Sequence, residues 1–327
     1  MITVSHLTKR YGNFTAVDDL SFEIEDGHVY GFLGPNGAGK STTMNIITGC
    51  LSATAGHIRI DGFDIFEHPE QAKKQVGYLP ETPPLYMSET PAEYLRFVGE
   101  AKGLHGAELN SQIEDVIERT HIGDVRNRRI SALSKGYKQR VGIAQALLGN
   151  PKVIILDEPT VGLDPIQIIE IRDLIKELAQ THTVLFSSHI LSEVRTICDR
   201  VLIISKGKLI AFDEPEVLEK KMMPPNEITF VTDAAEEEVS AFLSSITEVT
   251  ETEMVKTEAG FTEVQIKTVP GEIYELSHRL FWLFAEGGRT LFEMNLKKAN
   301  LEEVFIELTE NGSTPAEEEQ NEEVIEA

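Results

Sequence analysis

Hydrophobic and polar positions divide the first two thirds of this chain into short strands and helices. Over residues 1–221, β-branched apolar runs alternate with helical patterns, which is typical of an α/β domain around a largely parallel sheet. The strand candidates are Ile2–Leu7, Phe22–Ile24, Val29–Leu33, Ile58–Ile60, Gly77–Leu79, Val153–Asp157, Thr183–Ser187 and Val201–Ser205. We therefore expect an α/β fold for this region.

A stretch without any strand pattern interrupts that alternation at about residues 91–149. Within it, Glu93–Leu104 and Leu109–His121 have the 3.6-residue period of helices. The pattern predicts a helical subdomain inserted into the α/β core.

The sequence Met222-Met223-Pro224-Pro225 breaks the chain, because two prolines cannot continue a helix. The pattern after it predicts, in order, Glu227–Val231 (strand), Ala235–Ile246 (helix), Val249–Thr257 and Phe261–Thr268 (strands), Gly271–Glu286 (helix) and Arg289–Asn295 (strand). This βαββαβ order indicates a small α+β, ferredoxin-like domain over 226–311, with a last helix at Asn300–Glu310. Residues 312–327 are Glu-rich and are expected to form a disordered acidic tail.

A phosphate-binding loop is the strongest chemical signal in the chain. The residues Gly34, Pro35, Asn36, Gly37, Ala38, Gly39, Lys40 and Ser41 match the pattern G-x-x-x-x-G-K-[ST]. They follow the apolar strand Val29–Leu33 and precede a predicted helix at Thr42–Thr48, which is the context that this motif requires. Backbone N–H groups and Lys40 are expected to bind the phosphates of a nucleotide, and the Ser41 hydroxyl to bind Mg²⁺.

Two acidic residues end another apolar strand about 120 residues later, at Asp157 and Glu158. An unbroken apolar strand suits a parallel sheet that is buried on both faces, and ligands gather at the carboxyl ends of such strands. Asp157 can then bind Mg²⁺ opposite Ser41, while Glu158 can orient the attacking water or accept its proton. The acidic pair alone could be a helix cap; the phosphate loop before it favours the catalytic interpretation.

Several further motifs resemble those of the ABC ATPase family, in the family's order and over residues 1–221. Leu133-Ser134-Lys135-Gly136-Tyr137 resembles the family signature, and Gly162-Leu163-Asp164 resembles its D-loop. His189 resembles the switch histidine at the γ-phosphate, and Tyr11 the aromatic residue that stacks on adenine. The resemblance implies a P-loop NTPase cassette whose signature Ser134 and Gly136, with Asp164, complete the ATP site of a second copy.

Two motifs depart from the family pattern. Glu81 stands where the family usually has the Q-loop glutamine; a carboxylate there can still bind Mg²⁺. Lys135 and Tyr137 replace glycine and glutamine in the signature. Together with the C-terminal extension, these variants resemble the bacterial drug-export and gliding-motility branch.

The resemblance implies that two copies enclose two ATP molecules and drive separate integral membrane permease subunits from the cytoplasmic face of the membrane. Catalysis would fall to Glu158, His189 and Lys40, and metal binding to Ser41, Asp157 and Glu81. Nucleotide contacts would come from Tyr11, Gly34–Ser41, Thr42 and Glu81 of one copy and from Ser134, Gly136 and Asp164 of the other. A soluble ABC-type ATPase switch remains the alternative, and nothing in the chain indicates the cargo.

Composition limits the partners further. The formal net charge of −24 argues against nucleic acid, since neutralising phosphates supplies most of that affinity. The apolar runs are shorter than the roughly 20 residues of a membrane helix. Cys50 and Cys198 form no zinc-type pattern, and we expect both to be buried, reduced thiols. The aromatic run Leu280–Phe284 is interpreted mainly as core of the small domain, with a partner-binding surface as the other reading.

Overall fold

The structure is a computed structural model that describes residues 1–222, 226–257, 260–269 and 273–297. The described chain forms two compact units that divide after Pro215. Each unit has its own sheet and its own hydrophobic core. The predicted final helix at Asn300–Glu310 and the acidic tail lie outside the described residues.

The first unit alternates strands and helices as the sequence predicts. Its elements are β1 (Ile2–Tyr11), β2 (Phe14–Ile24), β3 (Val29–Leu33), α1 (Lys40–Ile47), β4 (Ala55–Ile60), β5 (Phe63–Asp64), α2 (Pro69–Lys74), β6 (Val76–Leu79), α3 (Pro91–Ala101), α4 (Gly106–Arg119), α5 (Lys135–Leu147), β7 (Val153–Leu156), α6 (Pro165–Ala179), β8 (Thr183–Ser188), α7 (Leu191–Ile197), β9 (Arg200–Ser205) and β10 (Lys208–Asp213). The α/β class is confirmed.

The main sheet of this unit has the strand order β10-β9-β3-β8-β7-β6. All its neighbouring strands run parallel except β9 and β10. Strands β3, β7 and β8 are buried at every position, which explains why β3 and β7 appear in the sequence as unbroken apolar runs. Because β3, β8, β7 and β6 are adjacent and parallel, the loops that follow them leave the sheet at one edge.

A second, antiparallel sheet has the order β2-β1-β4-β5. Its long hairpin β1–β2 is closed by Gly12 and Asn13 between Tyr11 and Phe14, whose backbones are paired. The strands predicted from the sequence, Ile2–Leu7 and Phe22–Ile24, cover only parts of β1 and β2. Polar residues occupy most of the exposed positions of these strands and interrupt the apolar pattern.

The helical insertion contains α3, α4 and α5 and no strand, as predicted. Helix α3 begins with a capping box, in which Thr90 and Glu93 satisfy each other's backbone N–H groups. The sequence pattern predicts a helix over Val141–Leu148 that is opened by Lys138-Gln139-Arg140. In the structure α5 begins earlier: Ser134 is its N-cap, and Lys135 and Gly136 already lie in its first turn. The signature residues are therefore part of a helix N-terminus.

The helix α8 (Pro215–Met222) begins at the division between the units. The remaining elements are β11 (Asn226–Thr232), α9 (Glu236–Leu243), β12 (Val249–Lys256), β13 (Thr262–Thr268), α10 (Ile273–Glu286) and β14 (Leu291–Lys297). The sheet order is β12-β13-β11-β14, with every pair antiparallel. This βαββαβ arrangement confirms the predicted small α+β domain.

Two predictions about burial need correction. In the aromatic run of α10, Leu280 and Phe284 are buried, but Phe281 and Trp282 are half exposed, because they lie on the opposite side of the helix. Cys198 is buried as expected, and burial raises the pKa of its thiol. Cys50 is exposed instead, since it lies in the surface turn after α1. Within the described residues, no helix is both long and apolar enough to cross a bilayer.

Candidate functional site

The candidate site lies at the carboxyl edge of the main sheet. Strand β3 leads into the phosphate loop, β8 into His189, β7 into Asp157 and Glu158, and β6 towards Glu81. The registers align Leu33 with Ser188 and Leu156 with Phe186, so these loops start at similar heights. Parallel strands therefore bring together four motifs that are far apart in the sequence.

Glycines let the phosphate loop pass close to its neighbours. A Cβ atom on Gly34 would lie 2.5 Å from the Ile204 carbonyl oxygen, and one on Gly39 would lie 2.5 Å from the Ala16 carbonyl oxygen. Gly39 also has φ +105°, a left-handed conformation that favours glycine. The loop then enters α1, whose first residues are Lys40 and Ser41. Helix α1 starts two residues before the predicted Thr42, so both side chains belong to its first turn.

Lys40 is buried inside the loop rather than extended into solvent. Its Nζ donates to the carbonyl oxygen of Gly34 at 2.7 Å and to that of Pro35 at 3.3 Å. The same ammonium lies 3.4 Å from Oε1 of Glu158, with both side chains more than nine tenths buried. The loop thus holds a positive charge beside the predicted catalytic acid.

The two acids after β7 are held by one buried hydroxyl. Ser187 Oγ donates to Oδ1 of Asp157 at 2.6 Å and accepts the backbone N–H of Glu158 at 2.8 Å. Glu158 has φ +47°, an uncommon backbone conformation for a residue with a Cβ atom, and one often found at functional sites. Asp157 Oδ1 also accepts from the Ser41 hydroxyl at 3.3 Å. Ser187 therefore links the Asp157 carboxylate to the backbone of Glu158.

Each carboxylate oxygen of Glu158 contacts another residue that is predicted to be catalytic. Oε1 faces Lys40, while Oε2 lies 3.0 Å from Nδ1 of His189. The His189 side chain is 42% exposed, whereas that of Glu158 is 8% exposed. His189 is consequently exposed to the cavity on one side and contacts the buried Glu158 carboxylate on the other.

A cavity of about 360 Å³ unites most of the predicted nucleotide residues. The predicted residues that line it are Tyr11, Pro35, Asn36, Gly37, Gly39, Lys40, Ser41, Thr42, Glu81, Glu158 and His189. Gly34 and Ala38 do not line the cavity: Gly34 accepts a hydrogen bond from Lys40, and Ala38 is buried. Asp157 is connected to the loop by its hydrogen bond with the Ser41 hydroxyl. Glu81 is exposed at this cavity. Its predicted metal contact stays a prediction.

The cavity also has residues that the sequence analysis missed. Phe14 and Ala16 line it from β2, and Val161 lines it after Glu158. Tyr11 lies at the end of β1, with Lys9 Nζ 5.1 Å from its ring centroid. The sequence signal that could have identified Phe14 is its position three residues after Tyr11, the aromatic residue already assigned to the nucleotide. Tyr11 and Phe14 give this cavity two exposed aromatic rings.

The signature residues lie in a second cavity of about 330 Å³, which shares no lining residue with the first. Ser134, Gly136 and Asp164 are together there. Ser134 Oγ accepts the Tyr137 N–H as the cap of α5, and Asp164 Oδ1 accepts the Gln167 N–H as the cap of α6. Two helix N-termini therefore meet at this cavity, which is a favourable environment for an anion.

The two unusual signature residues have definite partners. The Tyr137 hydroxyl donates to Oδ2 of Asp124 at 2.6 Å, and this hydrogen bond raises the pKa of the tyrosine. A Cβ atom on Gly162 would clash with Nζ of Lys135, so the Lys135 ammonium lies directly against the D-loop backbone. Both substitutions thus make contacts of their own within the chain.

Comparison with known proteins gives consistent similarities. A family model described as ABC transporter matches residues 17–161. The linearmycin resistance ATP-binding protein LnrL of Bacillus subtilis (strain 168) is 32% identical over 313 residues, covering 94% of this chain and 98% of that protein. The bacitracin transport ATP-binding protein BcrA of Bacillus licheniformis is 41% identical over 212 residues, covering 64% of this chain and 68% of that protein. A solved dimeric ATP-binding cassette, MJ0796 in a post-hydrolysis state with ADP and Pi, matches with TM-score 0.59 at 25% identity, covering 66% of this chain and 99% of that one.

Proposed function

Since this chain belongs to the ATP-binding subunits of ABC transporters, which hydrolyse ATP, we propose that two copies of it close over ATP and power export through separate integral membrane subunits. One observation carries the catalytic part of the proposal. The buried carboxylate of Glu158 lies between the Lys40 ammonium and the His189 ring, beside the phosphate-loop cavity.

In the proposed reaction, water attacks the γ-phosphate of ATP in line with the leaving oxygen of ADP. Glu158 orients this water and accepts its proton, and His189 holds the Glu158 carboxylate in place. Lys40 and the N–H groups of the loop stabilise the negative charge that develops on the transferred phosphoryl group. Tyr11 stacks on the base, a contact that tolerates different bases.

The residues around Ser41 fit a magnesium ion. Mg²⁺ prefers oxygen ligands and usually keeps few protein contacts beside water and phosphate. The Ser41 hydroxyl and the Asp157 carboxylate are 3.3 Å apart and offer such oxygens. We propose that these two residues hold the ion, with Glu81 as a further ligand. The bound ion would neutralise charge on the phosphates.

The second half of each site is proposed to come from the other copy. The chain carries a phosphate-loop cavity and a separate signature cavity with two helix N-termini. In a symmetric dimer the same surface serves both partners, so Ser134, Gly136 and Asp164 of each copy would face the ATP of the other. The dimeric form of the related cassette MJ0796 supports this arrangement.

Export is proposed because of the relatives' names. LnrL is named for resistance to linearmycin, and a transporter can confer resistance by moving the compound out of the cell. ATP is available in the cytoplasm, so the chain would act at the cytoplasmic face of the membrane. Its membrane subunits would carry the cargo path.

Complementation between two damaged copies tests the composite site. Glu158→Gln removes the proposed base, and Gly136→Asp puts a carboxylate into the signature cavity. Each variant alone should bind ATP and turn it over poorly. A mixture should recover turnover, because one site of a mixed dimer contains Glu158 from one copy and Gly136 from the other. As a control, mixing Glu158→Gln with a variant that carries both Glu158→Gln and Gly136→Asp should recover no turnover, because Glu158 is missing from every site. If the mixture of the two single variants stays inactive, the composite site is contradicted.

Capture from detergent-solubilised membranes of the source cells tests the transporter assignment. The tagged chain should bring down an integral membrane protein in stoichiometric amount, and that protein should stimulate ATP turnover. A chain that remains without a membrane partner, with full turnover alone, would favour the soluble ATPase switch.

A further inference from the structure

A buried carboxylate that the proposed reaction does not use lies behind the catalytic residues. Glu193, on α7, is 1% exposed. Its Oε2 accepts the Thr160 hydroxyl at 2.8 Å and the Ser188 hydroxyl at 2.9 Å, while its Oε1 lies 3.6 Å from Nη2 of Arg172. This carboxylate is therefore satisfied by two hydroxyls and one guanidinium.

The partners of Glu193 are the neighbours of the catalytic residues. Thr160 follows Glu158 by two positions, in the loop after β7. Ser188 directly precedes His189, at the end of β8. The carboxylate thus joins the two loops whose side chains meet in the 3.0 Å contact between Glu158 and His189.

The third partner extends this connection to the signature cavity. Arg172 lies on α6, the helix that begins at its cap residue Asp164. The Arg172 side chain is largely buried, and its Nε–H has no hydrogen-bond partner among the described residues. Among the described residues, the Arg172 guanidinium forms its ion pair with Glu193.

Stability alone does not explain a buried carboxylate such as that of Glu193, because removing a charge from water costs free energy. A well-packed apolar residue is often as stable as a buried ion pair, whereas removing one partner leaves the other charge uncompensated. The location of the carboxylate, between two catalytic loops, points to a role in geometry. A contact that must stay near 3 Å is sensitive to small displacements of its loops.

We propose that Glu193 is a positioning residue for ATP hydrolysis, which holds the Glu158 and His189 loops at reactive distance through Thr160 and Ser188. The proposal rests on the roles of Glu158 and His189 given above. Glu193 does not touch the nucleotide cavity, so it acts on turnover and not on ATP binding.

Steady-state kinetics of the full-length chain test this role. Glu193→Gln preserves length and can still accept both hydroxyls, but it loses the charge that faces Arg172. We expect kcat to fall roughly 10- to 100-fold with KM for ATP nearly unchanged. Thr160→Val and Ser188→Ala, which each remove one hydroxyl, should lower kcat in the same way and serve if Glu193→Gln does not fold.

Asp64 supplies the matched control. It is also a buried carboxylate, 5% exposed, and it accepts the N–H groups of Phe66 and Glu67 outside the site. Asp64→Asn should lower the melting temperature and leave kcat of the folded protein unchanged. The proposal would be overturned if Glu193→Gln, Thr160→Val and Ser188→Ala, the three network variants, all lowered the melting temperature and left kcat unchanged. Glu193 would then have only a structural role.

A double variant separates this proposal from the proposed function. If Glu193 acts through Glu158, adding Glu193→Gln to Glu158→Gln should cause little further loss of turnover. Full turnover in Glu158→Gln alone would overturn the catalytic assignment itself. A large loss in Glu158→Gln with normal kcat in the three network variants would overturn only the role of Glu193.

Discussion

Nδ1 of His189 lies 3.0 Å from Oε2 of Glu158, and this contact joins the loops after two adjacent parallel strands. Because the histidine is partly exposed to the cavity and the acid is buried, the pair connects the nucleotide space to the interior of the sheet. The proposed chemistry depends on this geometry.

Removing either member of the pair should stop turnover at the chemical step. We expect Glu158→Gln and His189→Ala each to lower kcat by about 100-fold or more, with ATP binding retained. The double variant should be little worse than Glu158→Gln, since residues that act as a unit are not additive. Single-turnover hydrolysis and equilibrium binding of ATP measure the two quantities. Independent, multiplied losses would contradict the paired role.

Ser187 should matter for both stability and turnover. Ser187→Ala removes the acceptor of the buried Glu158 N–H and the donor to Asp157, which should cost about 1–3 kcal/mol in free energy of unfolding. Ser205 is the control: it is buried at the end of β9, and its hydroxyl has no partner among the described residues. Ser205→Ala should leave stability unchanged or slightly higher. Denaturant unfolding of both variants measures the difference. Equal changes in unfolding free energy would contradict a stabilising role for the bridge that Ser187 forms between Asp157 and the Glu158 backbone.

The stability of the first unit should fall in mild acid because of His182. Its Nδ1–H donates to the Pro151 carbonyl oxygen, and its Nε2 accepts from Arg119, so the ring is neutral. Burial lowers the pKa of His182 below its ordinary value of 6.5. The unfolded chain therefore binds the proton first as the pH drops, and stability declines below about pH 6.5.

Comparing variants isolates this effect. His182→Gln should show a shallower loss of unfolding free energy between about pH 7.5 and pH 5.5 than the parent chain. His105→Gln, at an exposed position, should retain the parent slope. Identical slopes for the parent and His182→Gln would show that another group controls the acid limb.

The two aromatic residues of the β1–β2 hairpin should contribute to nucleotide affinity. Base stacking on an aromatic ring is worth about 1–3 kcal/mol, so Tyr11→Ala should raise KM for ATP about tenfold with little change in kcat. Tyr11→Phe should retain most of the affinity. Phe14→Ala should raise KM more modestly, and an unchanged KM would remove Phe14 from the binding site.

The core of the second unit should depend on Phe284. This fully buried ring lies 5.2 Å from the ring of Phe230 and 5.0 Å from that of Phe242, measured between centroids. Phe284→Ala should destabilise the unit by about 3–5 kcal/mol. Phe281→Ala, at a half-exposed position on the same helix, should cost far less. Thermal unfolding checks both, and equal losses would contradict the assignment of the core.

Much of the fold and the site was predictable because the signals are local. The glycines of the phosphate loop, the apolar strand before Asp157 and the strand before His189 identify residues by their immediate context. The α/β class followed from buried parallel strands, which appear in the sequence as unbroken apolar runs.

Other features depend on contacts that no local pattern records. Glu193 appears in the sequence as an ordinary polar position of a helix, and only the packing of α7 against two loops buries it. The bridge at Ser187 depends on the register of β7 and β8. Cys50 was predicted to be buried from the general tendency of free cysteines, which a surface turn overrides.

The presence of both half-sites on one chain, in separate cavities, has a kinetic consequence. If neither cavity is sufficient alone, hydrolysis is second order in the protein when copies are dilute. Specific activity should then fall on dilution, and it should recover when the protein is concentrated again. Two copies tethered to one membrane complex have a high effective concentration and escape this dependence. Assembly would itself act as the switch that turns ATP consumption on.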